Sequence, residues 1–204
     1  MNSKLFIFLT LLAGAVIFGS CKKQVDGCTD AAADNYNLNA TDDDGSCLYS
    51  KHVGESFGGG IIFYVDISGR HGLIAAPSDL GDSARWDDGS NADTYVNTTL
   101  LFSGDNNTTQ LVAIYGDGDY AAKQCEDFEL NGFTDWYLPA KSELEELYEY
   151  RALVGGFSDY YYWTSSENSN EDYRFLAFRV HFGTGLSSTF YKDFKARVRP
   201  IRSF

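Results

Sequence analysis

Alternating hydrophobic and polar positions predict β-strands near both ends of the chain. Along residues 174–182, hydrophobic side chains occupy every second position, at Leu176, Phe178, Val180 and Phe182. A two-residue period of this kind is typical of a strand that buries one face. The predicted strands are residues 61–66, 72–76, 160–165, 174–182, 186–191 and 195–201.

The middle of the chain has helical periodicity instead. Leu144, Leu147 and Tyr148 have the i, i+3, i+4 spacing of one helical face, and Ser142 with Glu145 has the S-x-x-E spacing of a capping box. Two further helices are predicted over residues 110–115 and 119–129. Helices between strands at both ends indicate an α+β domain with two or three helices mid-chain.

Two polar segments, 82–107 and 167–172, are predicted to form surface loops that could bind a ligand. Trp86 is the main hydrophobic exception in the first of them. Because an aromatic face beside Asn and Asp side chains suits a sugar ring, Trp86 is a candidate ligand-binding residue. For Trp136 and Trp163 we expect packing in the core.

The first twenty residues have the composition of a signal peptide. Lys4 precedes the apolar run Leu5–Phe18, which is shorter than the roughly 20 residues of a spanning helix. The run ends in small residues before Cys21, which resembles a bacterial lipobox whose cysteine is lipidated. We therefore expect an envelope lipoprotein held in the outer membrane by a lipid on Cys21. The alternative is an ordinary signal peptide with an incidental cysteine.

An acidic segment between Cys28 and Cys47 follows, and it resembles a small single-disulfide repeat of secreted bacterial proteins. In an oxidising envelope these two cysteines should pair. Crowded carboxylates in a cross-linked loop suit Ca²⁺, although the spacing is not that of an EF-hand. The candidate ligands are Asp30, Asp42, Asp43 and Asp44. The alternative is a solvated spacer that needs no metal and no other cofactor.

The charge distribution limits the classes of partner. A net charge of −13 argues against a nucleic-acid binder, which needs a basic surface. Residues 174–204 are the exception, because they hold seven basic residues against Asp193 alone. Arg197 and Arg199 should project from one strand face as a candidate site for an anionic glycan. Alternatively, these cations neutralise the acidic half of the domain.

Residues for catalysis are not apparent in the sequence, and we expect a protein that is not an enzyme. His52, His71 and His181 are scattered and lack a metal-binding spacing. A G-x-S-x-G nucleophile elbow is absent. Cys125 falls on the apolar side of a predicted helix and should be a buried core thiol.

The segment LNGFTDWYLPAKSEL, Leu130–Leu144, resembles the signature of the Lcl C-terminal domain family, and further blocks agree in order over residues 53–204. Those blocks are GGGIIFYVD, HGLIAAPSDLG, AAKQCEDF, GGF, YWTSSE and VRPIR. The resemblance implies a C-type lectin-like fold, with chain ends close together. It also implies adhesion, with sulfated glycans as the ligand class.

The predicted organisation is a signal peptide (residues 1–20), a tether (21–26), the acidic repeat (27–49) and the main domain (50–204). The predicted function is that of a surface lipoprotein with a non-catalytic lectin-like domain that binds glycans or surface proteins. The alternative is a structural or assembly module of the envelope without a small ligand.

Overall fold

The computed structural model describes residues 23–31 and 33–204, so the predicted signal peptide and Cys21 lie outside the described residues. The chain divides into two compact units, Met1–Leu48 and Tyr49–Phe204. Within the described part of the chain, no helix has the length and apolar composition needed to cross a bilayer.

The first unit is built around the disulfide between Cys28 and Cys47, which confirms the predicted pairing. Two short parallel strands pair beside it: β1 (Asp26–Gly27) directly precedes Cys28, and β2 (Asp42–Asp43) lies inside the loop that the disulfide closes. Cross-linking residues 19 positions apart stabilises such a unit by roughly 3 kcal/mol through the entropy of the unfolded chain.

The second unit has its helices between strands at both ends of its sequence, as the hydrophobic pattern predicts. Its strands are β3 (Ser56–Phe57), β4 (Gly60–Val65), β5 (Gly72–Ala75), β6 (Ala84–Arg85), β7 (Tyr161–Glu167), β8 (Leu176–His181), β9 (Ser187–Tyr191), β10 (Lys195–Ala196) and β11 (Ile201–Ser203). Its helices are α1 (Gly104–Tyr115), α2 (Ala121–Glu126), α3 (Lys141–Glu149) and α4 (Arg151–Val154). Four α-helices in the described residues exceed the predicted two or three, because α4 is a single short turn that follows α3 directly.

The chain ends of the second unit meet in one antiparallel sheet with the order β11-β5-β4-β3. Ile201 pairs with Ala75, and the Phe57 and Phe204 ring centroids are 5.3 Å apart. The C-terminal strand therefore completes a sheet that the N-terminal hairpin begins.

A second antiparallel sheet has the order β7-β8-β9, and a two-stranded ribbon joins β6 to β10. The predicted single strand over residues 195–201 is wrong in detail, because β10 pairs with β6 whereas β11 pairs with β5. Arg197 lies between β10 and β11 in the sequence and pairs with β7: the backbone N–H of Trp163 donates to the Arg197 carbonyl at 3.0 Å. Pro200 has no N–H with which to continue a ladder.

Two sequence predictions about helix starts also need correction. Helix α3 begins at Lys141 rather than after Ser142, because the Glu143 carboxylate accepts the Ala140 N–H at 2.6 Å and takes the capping role. Helix α1 begins at Gly104 rather than near residue 110. Asn107 and Thr108 are buried inside it, and both bond to neighbouring segments: the Asn107 amide donates to the Thr98 carbonyl and the Thr108 hydroxyl accepts the Leu138 N–H.

Candidate functional site

Trp86 lies in the core, so the prediction that its ring is available to a ligand is wrong. The side chain is 0% exposed, and its indole N–H donates to the Thr164 carbonyl at 2.6 Å. The Lys192 ammonium lies 4.8 Å from the ring centroid and pairs with the buried Glu167 carboxylate. The polar segment 82–107 is therefore partly internal. Trp136 and Trp163 are buried as predicted.

Arg199 is also unavailable, since its guanidinium is 0% exposed and fully engaged. Its Nε donates to Asp79 Oδ1 at 2.8 Å, and its Nη2 lies 2.7 Å from the same oxygen. The Nη groups also donate to three backbone carbonyls, those of Ala76, Gly155 and Gly156. The assignment of Arg199 as a ligand-binding residue is corrected accordingly: it binds the protein's own backbone.

The guanidinium groups of Arg197 and Arg199 both bond to Asp79, as expected for side chains on one face, but the Arg197 side chain also reaches the surface. The Nη1 atom of Arg197 donates to Asp79 Oδ2 at 3.3 Å, and the Arg197 side chain is 28% exposed. Tyr162 donates its hydroxyl to the same carboxylate oxygen at 2.7 Å. Two guanidinium groups thus share one carboxylate, and Arg197 carries the remaining positive charge toward solvent.

Asp79, which joins Arg197 to Arg199, is one of the residues that the sequence analysis did not identify; Tyr160 and Lys195, described below, are others. Asp79 follows β5 in a short polar turn, and its partners lie 118 and 120 residues away in sequence. No local pattern marks it, because one Asp after a strand is a common turn residue.

Arg197 lines an open cleft of about 380 Å³, here called the central cleft. Tyr160 contributes a ring that is 49% exposed, and Lys195 adds a second cation. The remaining lining residues are polar: Asp82, Ser83, Ser158 and Asp159. Short segments position all of them, namely β10 with the residue that follows it, the turn before β6 and the approach to β7.

Two further clefts of about 430 Å³ each adjoin the central cleft. The α2 cleft shares Ser83 with it and extends along α2 to Phe128. The α4 cleft shares Ser158 and Asp159 with it and extends past Phe157 to α4. The three clefts therefore follow one another across one surface of the second unit.

The basic C-terminal segment is largely neutralised by carboxylates from earlier in the chain. Arg174 lies 2.8 Å from Asp93, and Arg202 lies 2.7 Å from Asp135. Lys192, Arg197 and Arg199 have the carboxylate partners described above. Arg179 lies instead between two rings, with its guanidinium carbon 3.6 and 3.7 Å from their centroids. Five of the seven cations therefore have a carboxylate partner, and since Arg197 and Arg199 share Asp79, the structure supports the neutralising role for four positive charges.

The acidic repeat uses its carboxylates to hold its own turns. Asp44 accepts the Ser46 N–H at 2.9 Å, and its contacts with Ser46 lower the pKa of Asp44. Asp43 accepts the Gly45 N–H at 3.1 Å. Across residues 23–31 and 33–204, no three His, Cys, Asp or Glu side chains are grouped so that they could hold a metal ion. Calcium binding by Asp30 and Asp42 to Asp44 stays a prediction.

Cys125 is buried within α2, as predicted, and has no disulfide partner among residues 23–31 and 33–204. Burial raises the pKa of this thiol well above its usual value, which disfavours the reactive thiolate.

The comparison with known proteins identifies the family. No curated protein matches the chain. The family model of the Lcl C-terminal domain matches residues 78–202, more than half of the chain. This span includes Asp79 and every residue that lines the three clefts. The resemblance found in the sequence is thereby confirmed, and the chain belongs to the Lcl C-terminal domain family.

Proposed function

We propose that this protein is a lipid-anchored surface adhesin whose Lcl C-terminal domain binds glycans, without catalysis, in the central cleft. Membership of the family indicates an adhesin-like module at the cell surface, which agrees with an envelope location. The glycan ligand, the lipid anchor and the outer-membrane location are the parts that we add.

One observation supports glycan binding most strongly: the central cleft combines a half-exposed aromatic ring with hydroxyl, carboxylate and cationic groups. The Tyr160 ring offers a flat apolar face for the C–H groups of a sugar. Ser83 and Ser158 both donate and accept hydrogen bonds, and Lys195 and Arg197 donate them. A few polar groups around an aromatic surface are what a small-ligand site requires.

We extend the proposal to a C-type lectin-like fold for the second unit. The meeting of β3 and β4 with β11 in one sheet brings the chain ends together, as that fold requires. A domain with adjacent ends suits presentation on an N-terminal tether, because its far side stays free for a ligand.

The lipid anchor is supported by the apolar run that ends at Cys21. Replacing Cys21 with Ala should release the protein from membranes into the soluble fraction. Continued membrane association of that variant would contradict the anchor.

Glycan binding is tested with a glycan array probed by the purified chain from Lys22 to Phe204. We expect binding that Tyr160→Ala weakens and Tyr173→Ala preserves, since both residues are 49% exposed and only Tyr160 of the two lines the clefts. Arg197→Gln should weaken binding, whereas Arg70→Gln at an exposed turn should not. An array without any bound glycan would refute the proposal and favour a structural module of the envelope.

A further inference from the structure

We infer that the three adjoining clefts form one groove and that this groove binds a linear, uncharged glycan of several sugar units. The inference rests on the proposed glycan-binding function and adds the class of ligand.

The first argument is the continuity of the clefts. Ser83 lines both the α2 cleft and the central cleft, and Ser158 with Asp159 lines both the central cleft and the α4 cleft. Each cleft alone exceeds the lower end of small-molecule sites, about 300 Å³. A ligand confined to one cleft would leave the adjoining clefts empty, whereas a linear chain could occupy all three.

The second argument is that aromatic rings recur along the groove. Phe128 lies in the α2 cleft, Tyr160 in the central cleft and Phe157 in the α4 cleft. All three rings are at least partly exposed. The Phe157 ring is taken up by the Arg199 guanidinium, 3.9 Å from its centroid, and by the Phe182 ring at 4.5 Å, so it forms part of the wall of the α4 cleft. Phe128 and Tyr160 can each stack against one sugar face, and two such rings in adjoining clefts fit a chain of repeating sugar units.

The third argument is the charge of the lining. The groove has three cations, Arg151, Lys195 and Arg197, and Arg197 already bonds to Asp79. Against them stand four carboxylates, of which Asp127 already pairs with Lys123. The four carboxylates are Asp82, Asp119, Asp127 and Asp159. A lining without excess positive charge gives a polyanion no electrostatic advantage.

The same lining matches sugar hydroxyls. Carboxylates only accept hydrogen bonds, whereas ammonium and guanidinium groups only donate them. A hydroxyl does both, so neighbouring hydroxyls of a neutral sugar can satisfy Asp159 and Lys195 together, whereas a sulfate group would satisfy only the cation. The C-terminal segment also favours an uncharged ligand, because most of its cations are already paired with carboxylates elsewhere in the domain.

The groove is also held in shape before any ligand arrives. The Tyr162 hydroxyl accepts the Ser158 N–H at 2.8 Å and donates to Asp79, which holds Arg199. Arg199 in turn binds the carbonyls of Gly155 and Gly156 in the α4 cleft. A wall fixed by the Asp79–Arg199 pair reduces the ordering cost of binding a flexible chain.

The test uses the purified chain from Lys22 to Phe204 with two series of probes. The neutral series consists of linear glucose, mannose and N-acetylglucosamine oligosaccharides of increasing length, and the charged probe is heparin. We expect affinity for at least one neutral series to rise with length and to change little between low and high salt. Tyr160→Ala should weaken it about tenfold, the equivalent of one lost contact of about 1.4 kcal/mol.

Variants at the two junctions test the continuity of the groove. Ser83→Trp and Ser158→Trp should each block one junction, so that long oligosaccharides bind no better than short ones. Ser169→Trp, at an exposed position outside the clefts, is the control. Two junctions keep the test informative if one variant fails to fold.

The outcomes separate this inference from the proposed function. Salt-sensitive binding of heparin alone would overturn the uncharged ligand and leave glycan binding intact. Neutral binding without dependence on length, or unchanged by both junction variants, would overturn the groove alone. Failure of every glycan would overturn both.

Discussion

Replacing Asp79 with Asn should unfold the second unit at a much lower temperature, although the two side chains have almost the same shape. The carboxylate holds Arg199 through contacts of 2.7 and 2.8 Å and Arg197 at 3.3 Å. Arg199 has no exposed surface, so a neutral partner leaves its charge in the interior without compensation. Breaking a buried ion pair by removing one partner costs about 3–5 kcal/mol.

The expected size of the effect can be measured by thermal or urea unfolding. For a domain of this size, each kcal/mol lowers Tm by roughly 2–4 °C, so Asp79→Asn should lower it by about 6–20 °C. The control is Asp93→Asn, which breaks the pair with Arg174 at a carboxylate that is 44% exposed. Exposed pairs contribute about 0–1 kcal/mol, so this control should lower Tm by only a few degrees. Equal effects of the two substitutions would refute the role assigned to Asp79.

Three further predictions concern single side chains. Burial raises the pKa of Glu143 to about 7, so above pH 4.5 the carboxyl ionises more readily in the unfolded chain than in the folded one. The free energy of unfolding should therefore fall by about 3 kcal/mol as pH rises from 4.5 through 7. Urea unfolding across that range should show this fall in wild type and lose it in Glu143→Gln; a parallel fall in both proteins would contradict the prediction. Cys125 should resist alkylation until the domain unfolds, as mass spectrometry in increasing urea can show, and rapid labelling of the native protein would place it nearer the surface. Trp86→Phe should lose the bond to Thr164 and the contact with Lys192, at about 1–3 kcal/mol in urea unfolding, whereas an unchanged midpoint would show that neither contact matters.

The features that the sequence predicts well are those with a local period. Strand β8 falls inside the predicted strand 174–182, because its alternation is visible within a few residues. Helix α3 buries Leu144 and Leu147 as its spacing requires. The disulfide was also predictable from local sequence, because Cys28 and Cys47 flank one short segment.

The features that the sequence does not predict depend on partners far away along the chain. Trp86 stands in a polar segment without any period, and it is buried because its indole meets Thr164, 78 residues later. Glu143 caps its own helix from inside the core, whereas the S-x-x-E spacing favoured Ser142. For Trp86 the deciding contact is a hydrogen bond that only the folded chain brings together. Glu143 is the exception, because its bond goes to Ala140 only three residues earlier, and it competes with an equally local signal at Ser142.

The C-terminal cations show why folding and binding must be separated at this site. As a sequence, residues 174–204 resemble a basic surface, and Arg197 and Arg199 appear equivalent as ligand-binding residues. In the structure one carboxylate distinguishes them: Asp79 and three carbonyls enclose Arg199, while Arg197 extends into the central cleft. A loss of adhesion on mutating Arg199 would therefore report unfolding, because the buried carboxylate would lose its main partner. Only residues such as Tyr160 and Lys195, which line the cleft without supporting the core, can report ligand binding directly.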